Sequence, residues 1–339
     1  MNSYHVYQRG GLSPRSISRN IILKLTDWLH SIKDEALRED VKNSVFVTGG
    51  CITSMLLNEP VNDYDLYFKN KEVAERVIKY YFDILGAGQN DKVNVSFETQ
   101  QYEDGVDSII PKIKSAGIAG EDANILNYDY CESLPFSEMI KYFGLNSKKN
   151  RGTKNAPKKY HVKYISSNAI CLSDDIQIVT RFIGEPEKVH KYYDFVHATN
   201  YYSFSTGLVL NEDALKATLS KQLVFMDSMF PVCSIFRIRK FLKRNWTISA
   251  GEMFKIMYSI SKLDLDSISV LQEQLMGVDS AYMVQVLNLL EKKEKIDKTY
   301  LFSVIDKVFN DPLSDDPEMI VDIDMSTDED DLVSSQDDF

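Results

Sequence analysis

Hydrophobic positions change period repeatedly along this chain, and the changes outline its elements. Ile17, Ile21, Leu23, Leu25, Trp28, Leu29, Ile32 and Leu37 recur at helical spacing, so one long helix is expected from a cap at Ser16 or Ser18 through Asn43. Val45-Phe46-Val47 is then a short apolar run, broken by Gly49 and Gly50. Ile52 to Leu57 fits a short amphipathic helix, and Leu66-Tyr67-Phe68 is a second run opened by Asp63-Tyr64-Asp65. The pattern reads strand, glycine turn, helix, strand. A helix is expected over Lys71–Leu85, with Val73, Val77, Ile78, Tyr81 and Phe82 inward, and Lys92–Thr99 alternates as a strand. Strands return at Tyr160–Ile165, Ala169–Leu172 and Ile176–Phe182, with a weaker helical pattern at Phe136–Phe143 between. Beyond a Thr206-Gly207 turn the period is helical: from Asn211, around Arg237, Lys240 and Phe241, and from Gly251 to Asn310.

The expected fold class is therefore α+β, a mixed sheet with helices followed by an all-helical domain. The expected division is an N-terminal helical segment at 1–43, a head at 44–210, a helical neck and body at 211–310 and an acidic tail at 311–339.

Charge changes that picture only at the end. The chain carries −11 over 339 residues, yet twelve Asp and Glu and no Lys or Arg lie from Asp311 onward. The body is close to neutral, and the tail is too charged to pack and is expected to be disordered. No apolar run approaches the ~20 residues of a membrane helix and the N-terminus lacks a signal-peptide core, so a cytoplasmic protein is expected. Cys51, Cys131, Cys171 and Cys233 form no CxxC pair, which points to neither a zinc site nor a disulfide framework.

The candidate chemistry lies in the organising stretch. In a strand, Asp63 and Asp65 place two carboxylates on one face, where they repel unless a cation lies between them; hard oxygen ligands suit Mg²⁺ or Mn²⁺. The Gly49-Gly50 turn lets backbone approach a ligand and opens a helix N-terminus suited to phosphate. Lys148, Lys149, Arg151, Lys154, Lys158 and Lys159 form a basic run without an acidic residue, which reads either as a solvated loop or as an arm on RNA phosphates.

Gly49, Gly50, Leu56, Leu57, Asp63 and Asp65 resemble, in spacing, the head-domain signature of the tRNA nucleotidyltransferase (CCA-adding) and bacterial poly(A) polymerase family of the DNA polymerase beta-like superfamily. Asp194-Phe195-Val196-His197-Ala198-Thr199-Asn200 resembles a second motif of that family. Thr53-Ser54 and Tyr192-Tyr193 replace family residues, and Phe230, Pro231 and Ser234 stand where the base-reading motif would be. A third carboxylate is implied on a later strand. The best-matching position holds Gln177, and Asp175, two residues earlier and on the same face, is the alternative.

The resemblance implies nucleotidyl transfer from an NTP to an acceptor hydroxyl, preferably an RNA 3′ end, with Asp63 and Asp65 holding the metal. It places Gly49, Gly50, Thr53, Ser54, Asp194, Asn200, Arg237 and Lys240 around the nucleotide. Transfer to a protein or small molecule, and a degenerate nucleotide- or RNA-binding protein, remain as alternatives. The acidic tail and the replaced arginines suggest a divergent, phage- or virus-encoded member. Neither the base nor the oligomeric state is specified.

Overall fold

The computed structural model describes residues 10–86, 95–102, 104–114, 128–130, 159–165 and 168–265, together with 267, 270, 274, 302 and 303. The chain divides into two units, Met1–Val278 and Asp279–Phe339, and the strands and helices named here belong to the first. The pattern at Phe136–Phe143, the cations from Lys148 to Lys158, most of the helical stretch beyond Ile260 and the acidic tail lie outside the described residues.

The expected long N-terminal helix is two helices. Helix α1 runs over Pro14–Ser31, capped by Ser13, whose hydroxyl accepts from Ser16 N, with Pro14 in the first turn. Helix α2 spans Glu35–Ser44, and its cap is Asp34, whose side chain accepts from Leu37 N. The apolar stripe continues across the break because Ile32 and Leu37 are both buried; the capping aspartate, not the stripe, ends one helix and starts the next.

The organising stretch forms β1 (Val45–Thr48), α3 (Gly50–Leu57) and β2 (Tyr64–Phe68), and α4 comes next at Lys71–Gly86. An antiparallel three-stranded sheet is then made of β3 (Val95–Gln101), β4 (Asp107–Lys114) and β5 (Tyr128–Tyr130). The chain continues through β6 (Val162–Ile165), β7 (Ala169–Leu172) and β8 (Ile176–Val179), a single helical turn α5 (Pro186–Val189), and the hairpin β9 (Tyr201–Ser203) and β10 (Gly207–Val209). Helix α6 (Glu212–Ser220) begins at Asn211, whose side chain caps it. After it come β11 (Gln222–Leu223), α7 (Pro231–Lys243), β12 (Thr247–Ile248) and α8 (Ala250–Ile260).

Seven strands make one mixed sheet in the order β10-β9-β1-β2-β8-β7-β6. All neighbours are antiparallel except β2 and β8, which run parallel. Alternation divides this sheet into two faces. One face carries Val45, Val47, Leu66, Phe68, Ile176 and Ile178, all almost completely buried. Helix α1 lies on that side, because Lys24 stands over the ring of Tyr64, 5.4 Å from its centroid. Its Trp28 donates to Tyr81 of α4 at 2.8 Å.

On the other face, Phe46, Tyr67, Val179 and Tyr201 build a second core with Val106 and Val189. A third core joins Phe195 to Leu223, Phe225, Ile238, Trp246 and Ile256, which seats α7 and α8 against the end of the sheet domain. Among the described residues no helix is long and apolar enough to cross a membrane.

Candidate functional site

The strand registers assemble a row across the second face. Thr48 lies opposite Asp65 on one side and Tyr201 on the other, Asp65 opposite Gln177, and Gln177 opposite Cys171. Residues facing each other in register point to the same side of a sheet, so Asp65 stands between Thr48 and Gln177. Below this polar row lie the rings of Phe46 and Tyr67, stacked with centroids 5.5 Å apart. The face is thus apolar at one end of the strands and carries oxygen ligands at the other.

Gly49 connects the row to α3. Its φ of 89° lies in the left-handed region, and a Cβ placed on it would sit 3.1 Å from Asp65 Oδ2. Its N–H donates to Ala198 O at 3.1 Å, so it serves the turn and not a ligand. A Cβ on Gly50 would meet nothing within 4 Å, so open space faces the start of the helix. The unpaired N–H groups of a helix's first turn and its dipole both favour an anion there. Gly49→Ala is expected to cost about 1–3 kcal/mol, because φ 89° with ψ −147° is a backbone conformation that L side chains rarely adopt, and to displace the Asp65 carboxylate. Chemical denaturation checks it: an unchanged midpoint would contradict the strain.

Several side chains at the site are held by distant parts of the chain. Thr48 Oγ1 lies 2.8 Å from His190 Nε2 and within 3.1 Å of the carbonyls of Ala198 and Asn200. Thr53 donates to His197 O at 3.0 Å, and Ser54 accepts from Arg244 at 3.4 Å; neither hydroxyl is turned to the open space at Gly50. Asp194 forms an ion pair with Arg237 at 2.8 Å, which joins two of the expected nucleotide contacts to each other. Asn200 is completely buried, its Oδ1 accepting from Asn211 N at 2.8 Å, and its Nδ2 has no partner among the described residues. Lys240 is half-buried on α7. Lys159 pairs with Asp27 of α1 at 2.6 Å.

Asp175 does not join the row. Asp174 and Asp175 have φ of 58° and 57°, so the backbone before β8 is a left-handed turn and alternation does not extend back to Asp175. Its carboxylate lies 4.0 Å from Lys24 Nζ, on the α1 side. Gln177 is the residue facing Asp65.

The local electrostatics derive from burial beside charge. Burial, reinforced by Asp65 and then Asp63, pushes the Cys51 thiol well above its ordinary value. Burial also raises the Tyr67 hydroxyl, with the same two carboxylates adding to it. Cys51 and Tyr67 are therefore neutral and protonated at neutral pH. Near the C-terminal end of α3, burial acts to raise the Glu59 carboxyl, but hydrogen bonds from Lys221 and Arg244 outweigh it and hold it below the usual range.

Burial lowers both His190 and His197 to about 4. His197 lies among Phe195, Phe241 and Trp246 as a neutral core residue. Each histidine is neutral when folded and takes a proton near 6.5 when unfolded. Their contribution is therefore complete above about pH 6.5 and is lost as pH falls toward 4, on the order of 3 kcal/mol for each. Denaturation midpoints between pH 7 and 4 should fall accordingly, and His197→Gln should flatten the profile; a midpoint independent of pH would contradict this.

The oxygen donors suit a hard dication: the Asp65 carboxylate and the Gln177 amide lie in the row, Asp63 is exposed and just before β2 instead of in the strand, and the missing Cβ at Gly49 leaves room beside Asp65. Among the described residues there is no group of three His, Cys, Asp or Glu able to hold a metal, so Mg²⁺ or Mn²⁺ would complete its shell with water and substrate oxygens. The sequence alone singles out neither Thr48 nor His190; they lie 142 residues apart and carry no local signal of their meeting.

A sequence profile described as Gabija anti-defense 2 family protein matches residues 20–221, more than half of the chain. The chain belongs to that family. This Gabija anti-defense 2 family member is 22% identical over 291 residues to "Gabija anti-defense 2" of Bacillus phage SPbetaL7. The match covers 85% of this chain and 54% of the relative, so the chain spans about half the relative's length. Among solved structures it is similar to the Thermotoga maritima CCA-adding enzyme complexed with tRNA, at 9% identity and a TM-score of 0.35, covering 84% of this chain and 53% of that one. It is also similar to a CCA-adding enzyme in complex with CTP, at 11% identity and a TM-score of 0.33, covering 87% and 66%. These overall similarities are low, and the α+β description rests on the strand order and registers of the sheet.

Proposed function

We propose that this family member binds an NTP with Mg²⁺ or Mn²⁺ and transfers its nucleotidyl group to an acceptor hydroxyl. The observation that carries the reading is Asp65 set against the Cβ-less Gly49, at the open N-terminus of α3 and in register with Thr48 and Gln177. Asp63 and Asp65 would hold the metal, and the first turn of α3 at Gly50 would face the triphosphate. The ion, when bound, supplies charge neutralisation on the phosphates and lowers the pKa of the acceptor hydroxyl. The acceptor oxygen attacks the α-phosphorus in line, the α–β phosphoanhydride bond breaks, pyrophosphate leaves and the acceptor proton passes to solvent.

We favour an RNA 3′ end as acceptor, on the resemblance and on the basic run from Lys148 to Lys159. The phage relative's name extends the proposal to a setting, in which the reaction serves a phage against Gabija defence. A second reading, nucleotide binding without transfer, is favoured by the neutral Gln177 and by the engagement of Thr53 and Arg237 with the protein itself. Pyrophosphate release from each NTP, with total RNA or total protein as acceptor, separates the two. Release that depends on an acceptor supports transfer, and nucleotide binding without release supports the second reading.

A further inference from the structure

Gln177 stands beside Asp65 in the polar row and brings no charge to it. Its register partners are Asp65 on β2 and Cys171 on β7, and its Oε1 lies 3.9 Å from Cys171 Sγ as an acceptor. The other end of the amide is an N–H donor, which a cation repels. Asp175, the nearest carboxylate in sequence, is turned toward Lys24. On the far side of Asp65, Thr48 is engaged with His190 and with the carbonyls of Ala198 and Asn200.

Resting on the nucleotide-site reading, we infer that Gln177 limits the site to one divalent cation, the one that arrives with the nucleotide's phosphates. Two dications held about 3.5–4 Å apart, as in two-metal sites, bring four positive charges against two carboxylates. The second ion needs an anionic ligand on the strand beside Asp65, and that place holds an amide. Gln177 therefore sets metal stoichiometry: a carboxylate there creates the second position, and the amide keeps it closed. The acceptor hydroxyl would then have no dedicated ion of its own and would rely on its placement against the α-phosphorus.

Equilibrium dialysis with Mn²⁺ and the α,β-methylene analogues of ATP, CTP, GTP and UTP reads the stoichiometry without turnover. Wild type is expected to retain one Mn²⁺ per nucleotide bound, and Gln177→Glu and Gln177→Asp two. Two Mn²⁺ per nucleotide in wild type overturns the inference and leaves the nucleotide site standing. One in both carboxylate variants, with nucleotide still bound, also overturns it. If neither variant folds, the wild-type ratio alone decides. Wild type that binds none of the four analogues overturns the nucleotide-site reading itself, and this inference with it.

Discussion

Asp65→Asn is expected to abolish the thermal stabilisation that Mn²⁺ and nucleotide confer, and to reduce nucleotidyl transfer on the order of a hundred- to a thousandfold. The change keeps the side-chain shape and removes one negative charge. Asp65 lies in register with Thr48 and Gln177 and within reach of Gly49, so its carboxylate is the one the fold aims at the open space before α3. Its charge, and to a lesser degree that of Asp63, also adds to the burial that raises Cys51 and Tyr67. A ligand at a hundred times its Kd stabilises by about 2.7 kcal/mol, and that increment is what the variant loses. Melting curves with and without Mn²⁺ and each NTP measure it; an undiminished shift in Asp65→Asn would remove the residue from the site.

Trp28→Ala should have the opposite profile, a loss of about 3–5 kcal/mol without a direct effect on nucleotide contacts. Trp28 is completely buried in α1, on the side of the sheet away from Asp65. Removing it leaves a cavity beneath α1 and α4 and takes the indole N–H from the Tyr81 hydroxyl, which it reaches at 2.8 Å. Tyr81 is itself 2% exposed, so its hydroxyl loses a buried donor. Against a total stability of about 5–15 kcal/mol this is a large fraction. Urea denaturation measures it, with Trp28→Phe retaining most of the volume and expected to lose less. A loss below about 1 kcal/mol in Trp28→Ala would mean that α1 is not seated on the sheet as described.

The contrast between these residues shows what is legible in the sequence. The order β1, turn, α3, β2 is legible because each element is short and written in adjacent residues: three apolar positions, two glycines, a helical stripe and a second apolar run. Ala169–Leu172 is likewise legible as a strand. The break between α1 and α2 escapes a reading by periodicity because the apolar stripe runs through it, and only the cap formed by Asp34 marks it. Alternation puts Asp175 beside Gln177, but alternation presumes extended backbone, and two consecutive left-handed residues reverse the chain there. The partners of Thr53 and Asp194 are illegible for another reason. They lie 144 and 43 residues away, and a single sequence carries no record of which polar groups meet across such distances.

Transfer of label from each α-³²P NTP, with Mg²⁺ or Mn²⁺, into total RNA and total protein, comparing wild type with Asp63→Ala/Asp65→Ala, tests the central claim most directly. Label moved by wild type, into RNA if an RNA 3′ end is the acceptor, and lost in the double variant is the predicted result. Label that the double variant moves equally well, or no label moved by wild type under any of these conditions, would contradict it.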